Sequence, residues 1–376
     1  MNANAAVSLS LPSLPISNIG SDAKPLSQTQ LSQAKTAFAL RRVDLADAEV
    51  LLSGDRIPSA GDLVLARVDR IRQHTRIELR SGRRSNLFVG DTVVLAYGNR
   101  YATDQFEARV PDDLSPCHMV AAGGLAAAMV SRNAGIKPAT EITPLGLIAD
   151  AQQRVLNLRD YQLNGGGRGA GSVPVIAVMG SSMNAGKTTT AACLINGMVQ
   201  AGKKVAAVKI TGTGSGGDLW KMRDAGAFEA IDFSDAGYIS TDRVPLDEIL
   251  DLTDRLLGHL AAKQPDVIIV EVADGLFQPQ TAALLTSRHF QTRVNSVLFA
   301  SGDILGAVAG ANILRNNGFR LLGLAGVLTR SELAVREVQQ SCDVPVYSLL
   351  QLQDPQQAEL FIHQAKQSQQ RVCREA

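Results

Sequence analysis

Val175-Ile-Ala-Val-Met-Gly180-Ser-Ser-Met-Asn-Ala-Gly186-Lys187-Thr188-Thr189-Thr190 is the stretch whose reading decides the fold. Its apolar start reads as a buried strand. A loop bounded by glycines follows, then a lysine, three hydroxyls and a helical pattern over Thr189–Gln200. A strand that breaks into such a loop and then opens a helix is the setting of a phosphate-binding loop. The backbone amides of Gly180, Ser181, Ser182, Met183, Asn184, Ala185, Gly186, Lys187, Thr188 and Thr189 are expected to wrap phosphates, with added positive potential from the helix N-terminus. Lys187 is expected to reach the β- and γ-phosphates as a mobile point charge, and Thr188 to offer a hydroxyl to Mg²⁺. The spacing departs from G-x-x-x-x-G-K-[ST]. The first glycine position is Ser181, and the glycine stands one residue earlier. The plain alternative is a glycine-rich turn before an ordinary helix.

Two further stretches fall where such a sheet would place ligands. Pro265-Asp-Val-Ile-Ile-Val-Glu271 ends a buried strand on a carboxylate, which suits a Mg²⁺ ligand or a group orienting a nucleophile. Asp274 and Gly275 follow directly and can extend that site. Val208-Lys209-Ile-Thr211-Gly-Thr213-Gly-Ser-Gly-Gly217-Asp218 places Lys209 at the end of the second strand of this half, beside the phosphate loop in an ordinary strand order. Lys209 there neutralises phosphate in transfer or holds a substrate carboxylate. The glycines after it suit close approach or a lid. Asp218 is either a Mg²⁺ ligand or base, or the N-cap of a helix running through Arg223.

Around these motifs the pattern is strand–helix alternation. Apolar runs occur at Pro174–Met179, Val205–Ile210, Val267–Val270, Val294–Ala300, Leu321–Leu328 and Val344–Leu349. Helical patterns occupy Leu246–Ala262, Ile304–Asn316 and Ser331–Ser341. This predicts an α/β fold: a parallel sheet with helices on both faces over residues 173–376, its ligands beyond the carboxyl ends of the strands. Residues 37–110 differ. Short apolar runs between Gly-Asp, Ser-Gly and Gly-Asn turns predict a small β-barrel or meander. Arg67, Arg70, Arg72, Arg76, Arg80, Arg83 and Arg84 make it basic, as a solvated face or as a docking surface for an anion. Residues 111–163 read as a connecting α/β segment, with a small-residue helix over Val120–Val130 after Pro116-Cys117-His118. Asn164-Gly-Gly-Gly-Arg-Gly-Ala-Gly-Ser172 reads as a linker, and residues 1–36 as a disordered tail.

Composition narrows the classes. The chain has 376 residues, 45% hydrophobic and 19% charged, enough apolar material for a core and too much for wholesale disorder. Lysine and arginine number 37 against 36 acidic residues, so no bulk field selects nucleic acid or anionic lipid. Few aromatics accompany the arginines, which argues further against nucleic acid. No apolar run is long enough for a membrane span. The four cysteines are scattered, which argues against a disulfide scaffold. Without a credible address at the N-terminus, cytoplasm is the expected location.

The spacing G-x5-G-K-T, the lysine ending the second strand and the Val270-Glu271 strand end resemble dethiobiotin synthetase and its relatives, P-loop enzymes of the signal-recognition/MinD-like branch. The resemblance is closer to the P-loop family that includes D-glutamate N-acyltransferase proteins. Its V-E-G-x-G-S-L-x-x-P run is similar to Val270-Glu271-Val-Ala-Asp-Gly275-Leu-Phe-Gln-Pro279, with Val272 where the family has glycine. Gly217-Asp218-Leu-Trp220-Lys-Met-Arg223-Asp-Ala-Gly226-Ala is similar to a run of the molybdopterin-guanine dinucleotide adapter, a GTP-binding protein. The likeness spans roughly residues 173–350. It implies an ATP- and Mg²⁺-dependent ligase or kinase that activates a small carboxylated metabolite. Lys187 and Lys209 would stabilise the phosphoryl group in transfer, and Thr188 and Glu271 would hold Mg²⁺. The alternatives are a nucleotide-binding adapter or switch, and an acyltransferase whose loop holds the phosphates of coenzyme A. No N-K-x-D guanine signature is present, which favours ATP over GTP. Thr329-Arg-Ser-Glu332 lies where such a motif would sit, and an N-cap Ser331 explains it equally well. Relatives imply a homodimer through the sheet half.

Overall fold

The computed structural model describes residues 22–164, 167 and 169–375. Residues 1–21 of the expected tail, and 165, 166 and 168 of the expected linker, lie outside the described residues. The rest of the expected tail is ordered. It forms β1 (Ala23–Pro25), α1 (Gln28–Gln33) and β2 (Lys35–Thr36). Ser27 and Gln30 cap α1 reciprocally, and Leu26 and Leu31 are buried, which anchors the segment on the sheet beneath.

The first half of the chain is β-rich. It continues with β3 (Val50–Leu52), β4 (Leu63–Arg70), β5 (Arg76–Glu78), β6 (Arg84–Asn86), β7 (Thr92–Tyr97), β8 (Arg100–Tyr101) and β9 (Phe106–Arg109). It ends with β10 (Cys117–Ala121), β11 (Leu125–Arg132) and β12 (Thr140–Ala149). Strand β4 pairs with β7, β7 with β11, β11 with β10, β10 with β12, and β12 with β4. That circuit closes, so the half is a small barrel. Leu63, Val64, Leu65, Val93, Leu95, Met119, Leu125 and Ile142 are buried in it.

Closure needs β10, β11 and β12, so residues 111–163 are not a connecting α/β segment. The expected helix at Val120–Val130 is instead a β-hairpin turning at Gly123-Gly124. Alanine has the highest helix propensity, but propensity is a weak prior and tertiary strand pairing overrides it here. The small residues serve close packing. A Cβ on Gly123 would stand 2.0 Å from the Gly214 carbonyl oxygen, and one on Gly124 would stand 2.1 Å from the Ala37 Cβ. Cys117 is buried within β10, and burial pushes its thiol up to about 12. His118 Nδ1 accepts the Met129 amide at 3.3 Å, which ties the ring to β11.

The second half alternates strand and helix: β13 (Val175–Gly180), α2 (Lys187–Gln200), β14 (Val205–Lys209), α3 (Gly216–Asp224), β15 (Glu229–Asp232), α4 (Leu246–Ala261) and β16 (Val267–Glu271). Then come α5 (Pro279–Thr286), α6 (Arg288–Arg293), β17 (Ser296–Ala300), α7 (Ile304–Asn316), β18 (Leu321–Ala325), α8 (Glu332–Ser341), α9 (Leu349–Gln353) and α10 (Pro355–Glu375). The strands pair in parallel in the order β15-β14-β16-β13-β17-β18. Alternate residues serve the two faces. Val175, Ala177 and Met179 meet Ile249, Leu256 and Leu284 on one side. Ile176 and Val178 meet Leu194, Met198 and Phe361 on the other. The expected strand at Val344–Leu349 is reduced to a single bridge between Leu324 and Val346, because Ser348 caps α9 there. Among the described residues, no helix is long and apolar enough to cross a membrane.

The halves are bolted together. Ile239, from the sheet half, is buried in the barrel core. Arg41 pairs with Asp232 and Asp235, and its Nη1 donates to Ser234 Oγ at 2.7 Å. Burial works against the Arg41 charge, but the two carboxylates more than compensate and raise its pKa. Arg80 donates to the carbonyl oxygens of Arg41 and Val43 at 2.9 and 2.8 Å, and so holds the barrel segment that carries Arg41. At the Gly123–Gly214 contact, overpacking costs about 1–3 kcal/mol. Gly123→Ala is therefore expected to lower Tm by several degrees in a thermal melt. Gly302→Ala, which meets nothing within 4 Å, should leave Tm unchanged.

Candidate functional site

The phosphate loop joins β13 to α2 at the carboxyl edge of the sheet, between the ends of β16 and β17. The first helical bond of α2 runs from the Thr190 amide to the Gly186 carbonyl at 2.8 Å. The amides of Gly186, Lys187, Thr188 and Thr189 precede it and are free to face a ligand. Gly186 is left-handed (φ 100°), as is Asn184 (φ 63°), which turns the chain into the helix. Gly180 is explained by the lysine. A Cβ there would stand 2.6 Å from the Lys187 Cγ, so the lysine stem lies across a residue that must lack a side chain. Lys187 is buried, and its ammonium donates to the Ser182 carbonyl at 2.7 Å. Burial lowers its pKa, with Asp274 and Glu271 opposing.

Thr188, Lys209, Asp218 and Glu271 converge here. The Thr188 hydroxyl lies 2.8 Å from Glu271 Oε1 and 3.1 Å from Asp218 Oδ1. It has one proton for two carboxyl groups. Lys209 forms an ion pair with Asp218. Lys209 does not neighbour the phosphate loop, as an ordinary order would have it. Strand β16 is inserted between β14 and β13, and in register Lys209 sits opposite Glu271. Its four-carbon stem makes up the extra strand width. Burial opposes the Lys209 charge, but Asp218 and Glu271 outweigh it and raise its pKa. Burial and the nearby Asp218 push the Glu271 carboxyl above its ordinary range. For Asp218, burial is outweighed by Lys209, which holds its carboxyl below that range.

Asp218 is not an N-cap. Ser215 holds that position, and Asp218 lies in the first turn of α3 facing Lys209. The cap is supplied by the barrel: Glu78 accepts the Gly216 amide at 2.8 Å and the Ser215 hydroxyl at 3.3 Å. The glycine loop before α3 is therefore no free lid. Gly214 donates to the Ile239 carbonyl at 2.8 Å, and Thr213 bridges Ser240.

These residues line a cleft of about 330 Å³, joined by Met183, Asn184, Ala273, Asp274, Val327 and Arg330. Asp274 has a carboxylate with no hydrogen bond or ion pair among the described residues. Burial raises its pKa, with Lys209, Lys187 and Arg100 opposing. Its backbone is fixed by Thr211, whose hydroxyl accepts the Ala273 amide at 2.8 Å. Ser331 caps α8 on the Ala334 amide at 3.3 Å, so of the Thr329–Glu332 run only Arg330 reaches the cleft. Arg330 belongs to the Thr329–Glu332 run noted in the sequence, though not as a site residue, and the barrel residue Asp104, which bonds Asn184, carried no motif.

For Mg²⁺, the donors present are hard oxygens: the Thr188 hydroxyl and the Glu271 and Asp218 carboxyls. Glu271 Oε2 is buried and has no hydrogen-bond partner. One or two carboxylates, a hydroxyl and phosphate oxygens are the usual donors for this ion, so the residues fit it.

No protein-family model matches this sequence, and no curated protein matches it either. Solved structures give partial likenesses. The septum site-determining protein MinD of Pyrococcus horikoshii OT3, complexed with Mg-ADP, is 17% identical, with 54% of this chain and 99% of that one covered and a TM-score of 0.32. A nucleotide-binding protein of Archaeoglobus fulgidus in complex with ADP is 14% identical, with 50% and 88% covered and a TM-score of 0.33. The kinase domain of the Escherichia coli tyrosine kinase ETK is 16% identical, with 41% and 67% covered and a TM-score of 0.32.

Because the Lys187 stem crosses Gly180, Gly180→Ala is expected to weaken triphosphate binding by about tenfold or more, a loss of at least ~1.4 kcal/mol. A fluorescent-nucleotide titration reads this. Unchanged affinity would mean that the lysine does not need that groove.

Proposed function

We propose that the cleft binds the phosphates of a nucleoside triphosphate, with ATP the preferred nucleotide, and that the chain is an ATP-dependent ligase or kinase acting on a small carboxylated metabolite. One observation carries this reading. Two buried lysines and three oxygen donors from four separate elements converge beside the free amides of α2. Buried charges are costly and persist where they are paired or used.

The chemistry follows from charge. The loop amides and Lys187 hold the β- and γ-phosphates. Thr188, Glu271 and Asp218 would hold Mg²⁺, which when bound neutralises charge on the phosphate oxygens. Attack by the substrate carboxylate oxygen on the γ-phosphorus breaks the bond to the β-phosphate oxygen and yields an acyl phosphate and ADP. Lys209 neutralises the oxygens of the group in transfer. Its ion pair with Asp218 keeps it charged and aimed. Positioning and fixed charge supply nearly all of the acceleration in such reactions.

A regulatory switch is the weaker reading, since the element next to the phosphates is wedged. Gly214, Ser215 and Gly216 are all tied to neighbouring backbone or to Glu78.

Lys187→Ala is expected to cut nucleotide affinity on the order of 100-fold, equal to ~2.7 kcal/mol. Tm should change little. Retained affinity would remove the cleft from consideration. Glu271→Gln is expected to keep nucleotide affinity and lower Mg²⁺-dependent turnover by roughly 100-fold. Full turnover in that variant would exclude Glu271 from the reaction.

A further inference from the structure

Asp274 lines the phosphate-loop cleft but has no part in holding phosphate or Mg²⁺. Its place is fixed from both sides. The Thr211 hydroxyl bonds both backbone groups of Ala273, accepting the amide at 2.8 Å and donating to the carbonyl at 2.6 Å. Thr281 donates to the same carbonyl at 2.9 Å. On the other side, Gly275 lies against the phosphate loop. A Cβ there would stand 2.6 Å from the Ser181 carbonyl oxygen and 2.9 Å from the Ser182 Cα. The Ser182 carbonyl is the group that receives the Lys187 ammonium. Asp274 therefore stands at the end of the loop that holds this ammonium.

Its carboxylate is unsatisfied. Lys187 bonds Ser182, and Lys209 is paired with Asp218. Both act on Asp274 electrostatically, and neither bonds it. A third cation comes from the barrel. Arg100 of β8 is 7% exposed and makes no ion pair among the described residues. Its Nε is buried with no hydrogen-bond partner. Its Nη1 lies 3.5 Å from His74 Nε2, which already meets the Val120 carbonyl at 2.9 Å. The carboxylate whose charge acts on Arg100 is Asp274. Three cations thus act on one carboxylate, and none bonds it. A largely buried carboxylate is costly unless it accepts hydrogen bonds. Phosphate oxygens cannot supply them, because they bring negative charge and no hydrogen. The donor must come from the other reactant.

We propose that Asp274 positions the second substrate: it accepts a hydrogen bond from an O–H or N–H group of the carboxylated metabolite, with Arg100 as its countercharge from the barrel. The assignment rests on the phosphoryl-transfer reading above and narrows its substrate class. The metabolite is a hydroxy or amino acid, held by that group while its carboxylate oxygen stays free to attack phosphorus.

The test uses the full chain and follows ADP release from Mg-ATP. One set of probes is propionate, L-lactate and L-alanine; the other is succinate, L-malate and L-aspartate. A fluorescent ATP analogue is titrated in parallel. A donor-bearing acid is expected to stimulate turnover with a KM about tenfold or more below that of its plain counterpart. Asp274→Ala should erase this preference. Nucleotide affinity should be kept or tightened, because a negative charge beside the phosphates is gone. Asp274→Asn retains one acceptor oxygen and should restore part of the preference, a rescue that a merely structural role would not give. A preference that survives Asp274→Ala would overturn the assignment. Equal stimulation by plain and donor-bearing acids would do the same, as would no stimulation by any of them in wild type that binds nucleotide. Loss of nucleotide affinity in Asp274→Ala would also refute it, by placing Asp274 in the nucleotide site. Wild type that fails to bind nucleotide sinks the phosphate-loop reading. Calorimetric binding of a donor-bearing acid, lost in Asp274→Ala, would then still support Asp274, and its absence would remove both.

Discussion

The pairing of buried opposite charges around Thr188 is the constraint on which the site depends. The Lys209 ammonium and the Glu271 carboxyl are buried there, and Asp218, half-buried at their edge, completes the ion pair. Each is tolerable only while the others hold their places. Asp218 is delivered by α3, Lys209 by β14, Glu271 by β16 and Thr188 by α2. Four elements must therefore be registered together before any one of these groups is affordable in the interior.

That registration reaches across the molecule. The first turn of α3 is capped by Glu78 of the barrel, not by a residue of its own. The glycines before it fit because Gly123 presents no side chain to Gly214. Arg41 and Ile239 hold the same boundary from either side. The barrel is thus a structural partner of the site. A loop that would be free in an isolated sheet half is here a fixed mount for Asp218.

Much of this was legible beforehand, for identifiable reasons. The parallel sheet announces itself because its strands are buried on both faces and read as unbroken apolar runs. The β13–α2 loop is local: strand, turn, lysine and helix are consecutive, so spacing alone places them. The barrel strands β4 and β7 are equally plain. The hairpin at Gly123-Gly124 was misread because alanine and glycine carry no periodicity. Their use there is to let backbones touch, and the partner that demands it lies about 90 residues away. Strand β15 was missed because Glu229–Asp232 offers only Ala230 and Ile231 as apolar residues, whereas α10 does carry Ala358, Phe361, Ile362 and Ala365 at helical spacing.

By itself, the order of residues determined which polar groups stand at the edge of the sheet, since Lys187 and Thr188 open α2 while Lys209 and Glu271 end β14 and β16. Tertiary structure alone decided which of them meet. Inserting β16 between β13 and β14 set Lys209 against Glu271, and capping by Glu78 turned Asp218 inward. The reason is physical: adjacency of strands and the docking of one half on another are set by burial and pairing between distant segments, which local spacing does not encode.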